Sequence, residues 1–182
     1  MIIVEKKGTI LRHARKEDMS RIDELTIRCY TPIFESYVSM LGEECYDHVK
    51  ADPHLTWKER KTGQVHSLFE KHPEWVWVLE KDRYIIGFVT FKLFPKFHFG
   101  LFDNNGVDPD YAGKGWGKFM YRYVLEHFRK MNLRFAHVET GLDDAHIPAR
   151  NAYKAVGFDR PVPVVYYWQD LAKNNPDSKP EL

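Results

Sequence analysis

A glycine-rich stretch between an apolar run and an amphipathic pattern constrains the fold of this chain most. The stretch reads VDPDYAGKGWGKFMYRY over residues 107–123 and contains Gly113, Gly115 and Gly117 within five positions. Apolar residues at helical spacing follow the glycines and predict a helix that ends near Met131. The glycines therefore lie where a strand gives way to a helix, and there the backbone can come close to another group.

The start of such a helix is suited to an anion. The first backbone N–H groups of a helix lack partners within it, and the helix dipole makes this end positive. Lys114 and Lys118 add positive charge beside the glycines. The stretch matches neither the phosphate-loop pattern nor the GxGxxG dinucleotide pattern. The sequence therefore indicates a phosphate or pyrophosphate ligand of another class, with a simple strand-to-helix turn as the alternative.

The remainder of the chain alternates between strand and helix patterns. Strands are predicted over residues 8–14, 75–94 with a turn at 80–83, 97–107, 134–140 and 162–171, and helices over 16–34 and 148–158. Residues 36–72 are helical in pattern but broken, with Pro53 inside. This order favours one mixed α/β sheet flanked by helices. We expect residues 1–173 to form a single domain and residues 174–182 a polar tail.

The strand that leads to the glycine-rich stretch is less regular than the others. Gly100 and Gly106 interrupt it, and an isolated glycine in a strand indicates a bulge. Side chains alternate between the two faces of a strand. Simple alternation would therefore put Asp103, Asn105 and Val107 on one face, where they could line the same cleft.

Composition excludes several classes of protein. The net charge of +1 gives neither the basic surface of a nucleic-acid binder nor a polybasic membrane patch. No apolar run is long enough to span a membrane, and the N-terminus does not resemble a signal peptide. Cys29 and Cys45 form no disulfide framework, which fits a reducing cytoplasm. The nine histidines show no metal-ligand spacing, so we expect no metal.

Two motifs resemble those of the GCN5-related N-acetyltransferase (GNAT) family. V-D-P-D-Y-A-G-K-G-W-G resembles the family pattern [QR]-x-x-G-x-[GA] after a strand ending in V-x-P. H-I-P-A-R-N-A-Y-K-A-V-G-F resembles N-x-x-A-x-x-x-Y-x-x-x-G-F. The matching residues are Gly115, Gly117, Ala149, Tyr153, Gly157 and Phe158. Ala112 replaces the usual Gln or Arg, and His146 replaces the usual Asn, so both positions depart from the family.

The resemblance implies a GNAT-like, V-splayed mixed sheet that holds acetyl-coenzyme A in the splay. It also implies transfer of an acetyl group to a primary amine of a small molecule or peptide. The cofactor-binding residues implied are Gly106 and Val107 for the pantetheine arm, Gly113, Lys114, Gly115, Trp116, Gly117 and Lys118 for the pyrophosphate, and Asn151 as a further contact. Dimerisation is common in the family, and no residue here decides it.

The resemblance also suggests the catalytic groups. Tyr153 would protonate the departing thiolate, and Glu139, at the end of the strand over 134–140, would take the proton of the amine. Asp103 or a bound water is the alternative base. The departures at Ala112 and His146 leave a non-catalytic acyl-coenzyme A sensor as the alternative function.

The acceptor amine cannot be named from the sequence. In this family the first helices and the loops beside the cleft largely set specificity. Here they correspond to residues 30–73. Aromatic residues in that part of the chain either line an acceptor pocket or pack on the sheet: Tyr30, Phe34, Tyr37 and Tyr46.

Overall fold

In a computed structural model of the protein, which describes residues 1–6, 8–48 and 54–171, one sheet and five α-helices form the fold. The strands are β1 (Ile2–Lys6), β2 (Thr9–His13), β3 (Val76–Lys81), β4 (Tyr84–Phe94), β5 (Phe99–Val107) and β6 (Phe135–Val138). The helices are α1 (Met19–Leu41), α2 (Glu43–His48), α3 (Trp57–Lys71), α4 (Trp116–Lys130) and α5 (Ile147–Ala155). The six strands lie in sequence order across the sheet. All neighbours are antiparallel except β5 and β6, which are parallel.

The mixed sheet flanked by helices is confirmed, but the structure differs from the sequence prediction at both ends of the chain. β1 pairs with β2 and was not predicted, because a short N-terminal run of apolar residues carries little periodicity. The strand predicted over 162–171 is absent: these residues are irregular, and their apolar side chains are exposed. Strand propensity there finds no neighbouring strand to pair with. Pro53 and the predicted tail 174–182 lie outside the described residues.

The two faces of the sheet are covered by different helices. α4 and α5 pack on one face, where Phe91, Phe102 and Phe128 lie in a buried cluster. α1 and α3 pack on the other face, where Ile22 and Val65 belong to a second buried cluster. Each helix has one apolar stripe, so burying that stripe fixes which face of the sheet it covers. Of the described helices, none is long and apolar enough to cross a membrane.

A β-bulge interrupts β5 close to its middle. Phe102 lies opposite Phe91 of β4, but three residues later Asn105 lies opposite Val89. The single residue Thr90 therefore faces two residues of β5, and its hydroxyl holds them. Thr90 Oγ1 donates to the carbonyl oxygen of Asn104 at 3.0 Å and accepts from its backbone N–H at 2.8 Å. An extra residue in one strand reverses the alternation of side chains beyond it.

The bulge is not at either glycine, so that prediction is wrong. Gly100 and Gly106 serve packing instead. A Cβ on Gly100 would lie 2.5 Å from the ring of Phe128, and one on Gly106 would lie 2.7 Å from Cys29 Sγ. In sequence, a glycine needed for a close contact looks the same as a glycine needed for a bulge.

β5 and β6 pair over only part of β5. The pairing runs from Phe99 opposite Phe135 to Phe102 opposite Val138, where β6 ends. β5 continues to Val107, so its last residues have β4 on one side and no described strand on the other. The sheet is open at this edge, and the opening starts at the bulge.

We predict that Gly100→Ala destabilises the protein, because the ring of Phe128 lies where the new methyl group would be. Overpacking of this kind costs about 1–3 kcal/mol of unfolding free energy. Urea unfolding measures the change. Gly63→Ala is the matched control, since a Cβ at this position in α3 meets no atom within 4 Å. That control should gain about 0.5–1 kcal/mol. Equal effects at both positions would contradict the packing role of Gly100.

Candidate active site

The glycine-rich loop ends in an uncapped helix start. Gly113 and Gly115 have φ of 75° and 84°, a conformation that residues with a side chain rarely adopt. Gly115 is the N-cap of α4, and no side chain caps the helix there. The first helical bond that the loop accepts runs from the N–H of Phe119 to the carbonyl oxygen of Gly115, at 3.0 Å. The backbone N–H groups of the first turn are therefore left without a side-chain acceptor, as an anion site requires.

The lysines of this loop carry charge, and its tryptophan packs against the core. Lys114 Nζ lies 5.4 Å from the centroid of the Tyr111 ring. A Cβ on Gly115 would lie 3.6 Å from the Cε of Lys118, so the stem of Lys118 runs beside the helix start. Trp116 packs edge-on against Phe119 and is partly buried against the core. The two lysines can reach an anion at the helix start, whereas Trp116 helps to anchor the helix.

A buried carboxylate fixes the loop to α1. Asp108 follows β5 directly and is 1% exposed. Its carboxylate is bound by the guanidinium of Arg21 and by that of Arg28, the latter at 2.9 Å, and Arg28 also reaches Asp110 at 3.0 Å. The backbone N–H of Asp108 donates to the carbonyl oxygen of Ile86 in β4. Removing one member of a buried charge pair is costly, so this cluster holds the loop firmly beside the sheet.

Beyond the bulge, the side chain of Asn105 links two tyrosines. Its amide nitrogen donates to the hydroxyl oxygen of Tyr153 on α5 at 3.2 Å, and its amide oxygen accepts from the hydroxyl of Tyr121 on α4 at 2.5 Å. The rings of the two tyrosines lie 5.1 Å apart. The Tyr153 hydroxyl is therefore fixed next to β5, at the level where the sheet opens.

The phenol of Tyr153 is protonated at physiological pH. Burial raises the pKa of Tyr153 above its ordinary value, although hydrogen bonds with Asn105 and Tyr121 lower it in part. Burial also raises the pKa of Tyr121. A phenol with a raised pKa is neutral at physiological pH, so its O–H is available as a hydrogen-bond donor to a group that comes beside it.

The opposite face of the same strand carries a second polar group. Tyr30 of α1 donates to Asn104 Oδ1 and accepts from the backbone N–H of Asn105, both at 3.3 Å. Lys61 Nζ of α3 also donates to Asn104 Oδ1, at 3.0 Å. Burial raises the pKa of the Tyr30 phenol. The side chains of Asn104 and Asn105 point to opposite faces of the sheet at the bulge. Tyr30 and Lys61 contact Asn104 on one face, and Tyr121 and Tyr153 contact Asn105 on the other.

The proposed pantetheine residues also contact α1. Cys29 Sγ donates to the carbonyl oxygen of Val107 at 3.2 Å and fills the space beside Gly106. Burial raises the pKa of Cys29 to about 12, so this thiol stays protonated and acts as a packing group. The open edge of β5 remains beside Val107, where an extended chain could hydrogen-bond to the backbone.

The carboxylates predicted to be catalytic lie near the level at which the pairing of β5 and β6 ends. Glu139 is exposed and follows β6 directly. Since Val138 lies opposite Phe102, parallel register puts Glu139 level with Asp103. Asp103 does not share a face with Asn105, contrary to the prediction from simple alternation. Its carboxylate pairs with Lys92 Nζ at 2.8 Å, because the bulge falls between Asp103 and Asn105.

The two remaining positions that the sequence singled out differ in character. Asn151 is exposed on α5. His146 is buried, and its Nδ1 lies 2.6 Å from Asp143 Oδ1, while the other oxygen of Asp143 accepts from Ser36 of α1. Burial raises the pKa of Asp143, but its hydrogen bonds with His146 and Ser36 outweigh burial and lower it. His146 therefore ties the loop before α5 to α1.

Sequence reasoning missed several groups that build the site. They are Cys29, Lys61, Thr90, Asn104, Tyr121 and the cluster of Arg21, Arg28 and Asp108. Most come together through contacts between residues far apart in sequence, which periodicity cannot show. The paired amides N-N at positions 104–105, just before the glycine-rich stretch, were the one local signal, since two adjacent polar residues are unusual in a buried strand.

Known structures share this fold. The chain aligns with spermidine N-acetyltransferase of Vibrio cholerae, solved with coenzyme A and spermine, at 16% identity and a TM-score of 0.61, over 90% of this chain and 88% of that one. It also aligns with the PaiA N-acetyltransferase of Thermoplasma acidophilum in complex with coenzyme A, at 14% identity and a TM-score of 0.62, over 82% and 89%. A third structure is a GNAT family acetyltransferase of Brucella melitensis in complex with acetyl-coenzyme A. It aligns at 18% identity and a TM-score of 0.56, over 84% of this chain and 83% of that one.

The sequence itself decides the family. A comparison with curated proteins found no match. The family model for acetyltransferases of the GNAT type, in contrast, matches residues 35–158, which contain the glycine-rich loop, the open edge of β5 and the helix of Tyr153. The match covers more than half of the chain and the elements that build the candidate site, so this chain belongs to the acetyltransferase (GNAT) family.

Proposed function

We propose that this protein is an N-acetyltransferase that transfers the acetyl group of acetyl-coenzyme A to a primary amine of a small molecule or peptide. One observation carries the proposal. A neutral, buried phenol, Tyr153, is fixed beside the open edge of β5, and the uncapped start of α4 lies at the end of the same strand. An acid for the thiolate and an anion site for the pyrophosphate are thus aligned along one extended edge.

The cofactor would bind along this edge. The backbone N–H groups and lysines from Gly113 to Lys118 would hold the pyrophosphate, and the open edge at Gly106 and Val107 would pair with the pantetheine arm. Ala112 supplies no side chain to the phosphates, so the backbone and the lysines carry this interaction. Bound acetyl-coenzyme A supplies the thioester that is attacked. The family membership and the cofactors in the related structures support this assignment.

The reaction needs an unprotonated amine. An alkyl ammonium with a pKa of about 10 is mostly unreactive at neutral pH, so a base must take its proton. The amine nitrogen then forms a bond to the thioester carbonyl carbon, and the carbon–sulfur bond breaks. Tyr153 donates its proton to the departing sulfur, assisted by the Asn105 amide that holds the phenol oxygen in position.

We assign the base to Glu139. Its place directly after the last paired residue of β6, as Asp103 comes after the last residue of β5 paired with β6, supports this assignment. Exposure keeps it in contact with solvent, so it can pass the proton on to water. The carboxylate of Asp103 is already engaged by Lys92, whose Nζ lies 2.8 Å from it, whereas Glu139 is exposed.

Release of free thiol from acetyl-coenzyme A over a broad panel of amines tests the function. Amine-dependent release supports the transferase. Binding of coenzyme A, seen as a raised melting temperature, without release for any amine would instead establish a non-catalytic sensor. The absence of any melting shift at high coenzyme A would contradict both functions.

We predict that Tyr153→Phe lowers kcat by roughly a hundredfold or more while the Kd for coenzyme A stays nearly constant, because the phenol acts only as sulfur departs. Steady-state kinetics and calorimetry measure the two quantities. Tyr123→Phe, at a half-buried tyrosine of α4 that packs edge-on against Phe119, is the matched control and should keep its turnover. Unchanged turnover in Tyr153→Phe would show that another group is the acid.

We predict that Glu139→Gln lowers kcat/KM by roughly tenfold or more near neutral pH and that alkaline pH partly restores it, since more of the amine is then free base. The pH profile of kcat/KM checks this. Asp103→Asn is the matched comparison and should lose less. A greater loss in Asp103→Asn would move the base to that residue, and full activity in both variants would assign proton removal to water.

We predict that Gly115→Asp binds coenzyme A at least roughly tenfold more weakly than Gly115→Asn, as measured by calorimetry. Both side chains tolerate a positive φ and have nearly the same shape, so the pair isolates charge from backbone strain. The carboxylate of the Asp variant would compete with the pyrophosphate for the start of α4. Equal affinities in the two variants would mean that the glycines serve only the turn.

A further inference from the structure

On the face of β5 opposite Tyr153, a cation lies without a carboxylate partner. Lys61 is partly buried, and its Nζ contacts the amide oxygen of Asn104 at 3.0 Å and lies 4.6 Å from the centroid of the Tyr30 ring. In the described part of the chain, no carboxylate lies within ion-pair distance of this ammonium. Burial lowers the pKa of Lys61, although the nearby carboxylate of Asp103 raises it in part. An anion bound here would relieve this cost.

A second donor beside Lys61 also lacks a partner. Asn104 is 1% exposed, and its amide nitrogen forms no hydrogen bond with any described residue. The orientation of this amide is fixed, because an ammonium only donates and Lys61 must therefore face the oxygen. A buried donor without an acceptor costs free energy, so it calls for a ligand or water that accepts.

Nearby charges leave this face positive. Asp103 is neutralised by Lys92, whose Nζ lies 2.8 Å from its carboxylate. Adding Lys61 gives the three side chains a combined charge of +1. The group that suits this position carries a negative charge and two acceptor oxygens, as a carboxylate does.

A cavity with aromatic and aliphatic side chains in its wall lies on the same two helices as Tyr30 and Lys61. A cavity of about 320 Å³ lies between α1 and α3 and is lined by Thr31, Phe34, Glu35, Val38, Trp57 and Lys58. The rings of Phe34 and Trp57 stack in its wall at 4.4 Å. Phe34 is four residues after Tyr30, and Trp57 is four residues before Lys61, so both lie one helical turn from the polar group. An apolar substituent of a ligand held at Lys61 would find room there.

A short series of hydrogen bonds connects Lys61 with Tyr153. Tyr30 contacts both Asn104 and the backbone N–H of Asn105, whose side chain holds the hydroxyl of Tyr153. Lys61 and the acid are thus separated by one strand and a few hydrogen bonds. An amine next to a carboxylate bound at Lys61 would lie beside β5, close to the level at which its pairing with β6 ends.

Building on the proposed transferase function, we propose that the acceptor is an amine that also carries a carboxylate, an amino acid with an apolar side chain, and that Lys61 and the amide nitrogen of Asn104 bind its carboxylate. This acceptor class differs from spermine, the polycation present in the structure of the spermidine N-acetyltransferase of Vibrio cholerae.

The test uses phenylalanine, leucine and methionine, each assayed with acetyl-coenzyme A beside its own carboxamide. The amino group of a carboxamide is less basic and more often free, so chemistry alone favours the carboxamide. We expect the wild-type protein to show the reverse preference in kcat/KM. We expect Lys61→Met to reduce that preference by roughly tenfold or more, chiefly through KM of the amino acid, and Lys61→Arg to retain most of it.

Lys71→Met, on the exposed last turn of α3, is the matched control and should keep the wild-type preference. The melting shift with coenzyme A shows that each variant is folded.

Transfer to carboxamides at the same or a higher rate, or a preference unchanged in Lys61→Met, would overturn the inference while the transferase function stands. Transfer to other amines with none to these amino acids would also overturn it. An acetyl group found on Lys61 itself would show that this lysine is an acceptor and not an anchor. Absence of transfer to every amine would instead count against the proposed function.

Discussion

The hydroxyl of Thr90 holds the fold of the candidate site in place, because it accepts from and donates to the backbone of Asn104 and so accommodates the extra residue in β5. Without that residue, Asn104 and Phe102 would have the same orientation, and Asn105 would face α1. With it, Asn105 meets Tyr121 and Tyr153, while Asn104 meets Tyr30 and Lys61. One hydroxyl in β4 thus determines which polar groups gather on each face.

The end of β5 is held by a second, electrostatic constraint. Asp108 is nearly inaccessible, and both Arg21 and Arg28 of α1 bind its carboxylate. Cys29, between them in sequence, fills the space that Gly106 leaves and donates to Val107. α1 therefore fixes the strand end from which the glycine-rich loop departs, although it contributes no residue to that loop. The position of the start of α4 depends on these contacts as well as on the glycines.

The sequence predicted the parts of the fold that local patterns control. The helices that became α4 and α5, and the loop with positive φ at Gly113 and Gly115, follow from apolar spacing and glycine placement. The bulge was misplaced because its cause, a threonine hydroxyl on the neighbouring strand, leaves no mark near Gly100 or Gly106.

The site was predictable to the same extent. Tyr153 was found through a motif, and the structure adds the amide that positions it. Lys61 was missed, since a lysine in an amphipathic helical pattern is normally predicted to lie in solvent. Only the packing of α3 beside β5 brings it to Asn104. The exposed apolar residues 162–171 show the converse: strand propensity alone does not produce a strand where no partner is aligned.

The reversal of side chains at the bulge has an evolutionary consequence. Residues that would touch the cofactor and residues that would touch the acceptor belong to one strand but face opposite layers of the protein. A substitution at Lys61 therefore removes no direct contact of Tyr153 or of the start of α4. Under the proposed function, related chains could therefore change the amine that they acetylate through substitutions on one face of β5. The residues proposed to bind acetyl-coenzyme A would stay unchanged.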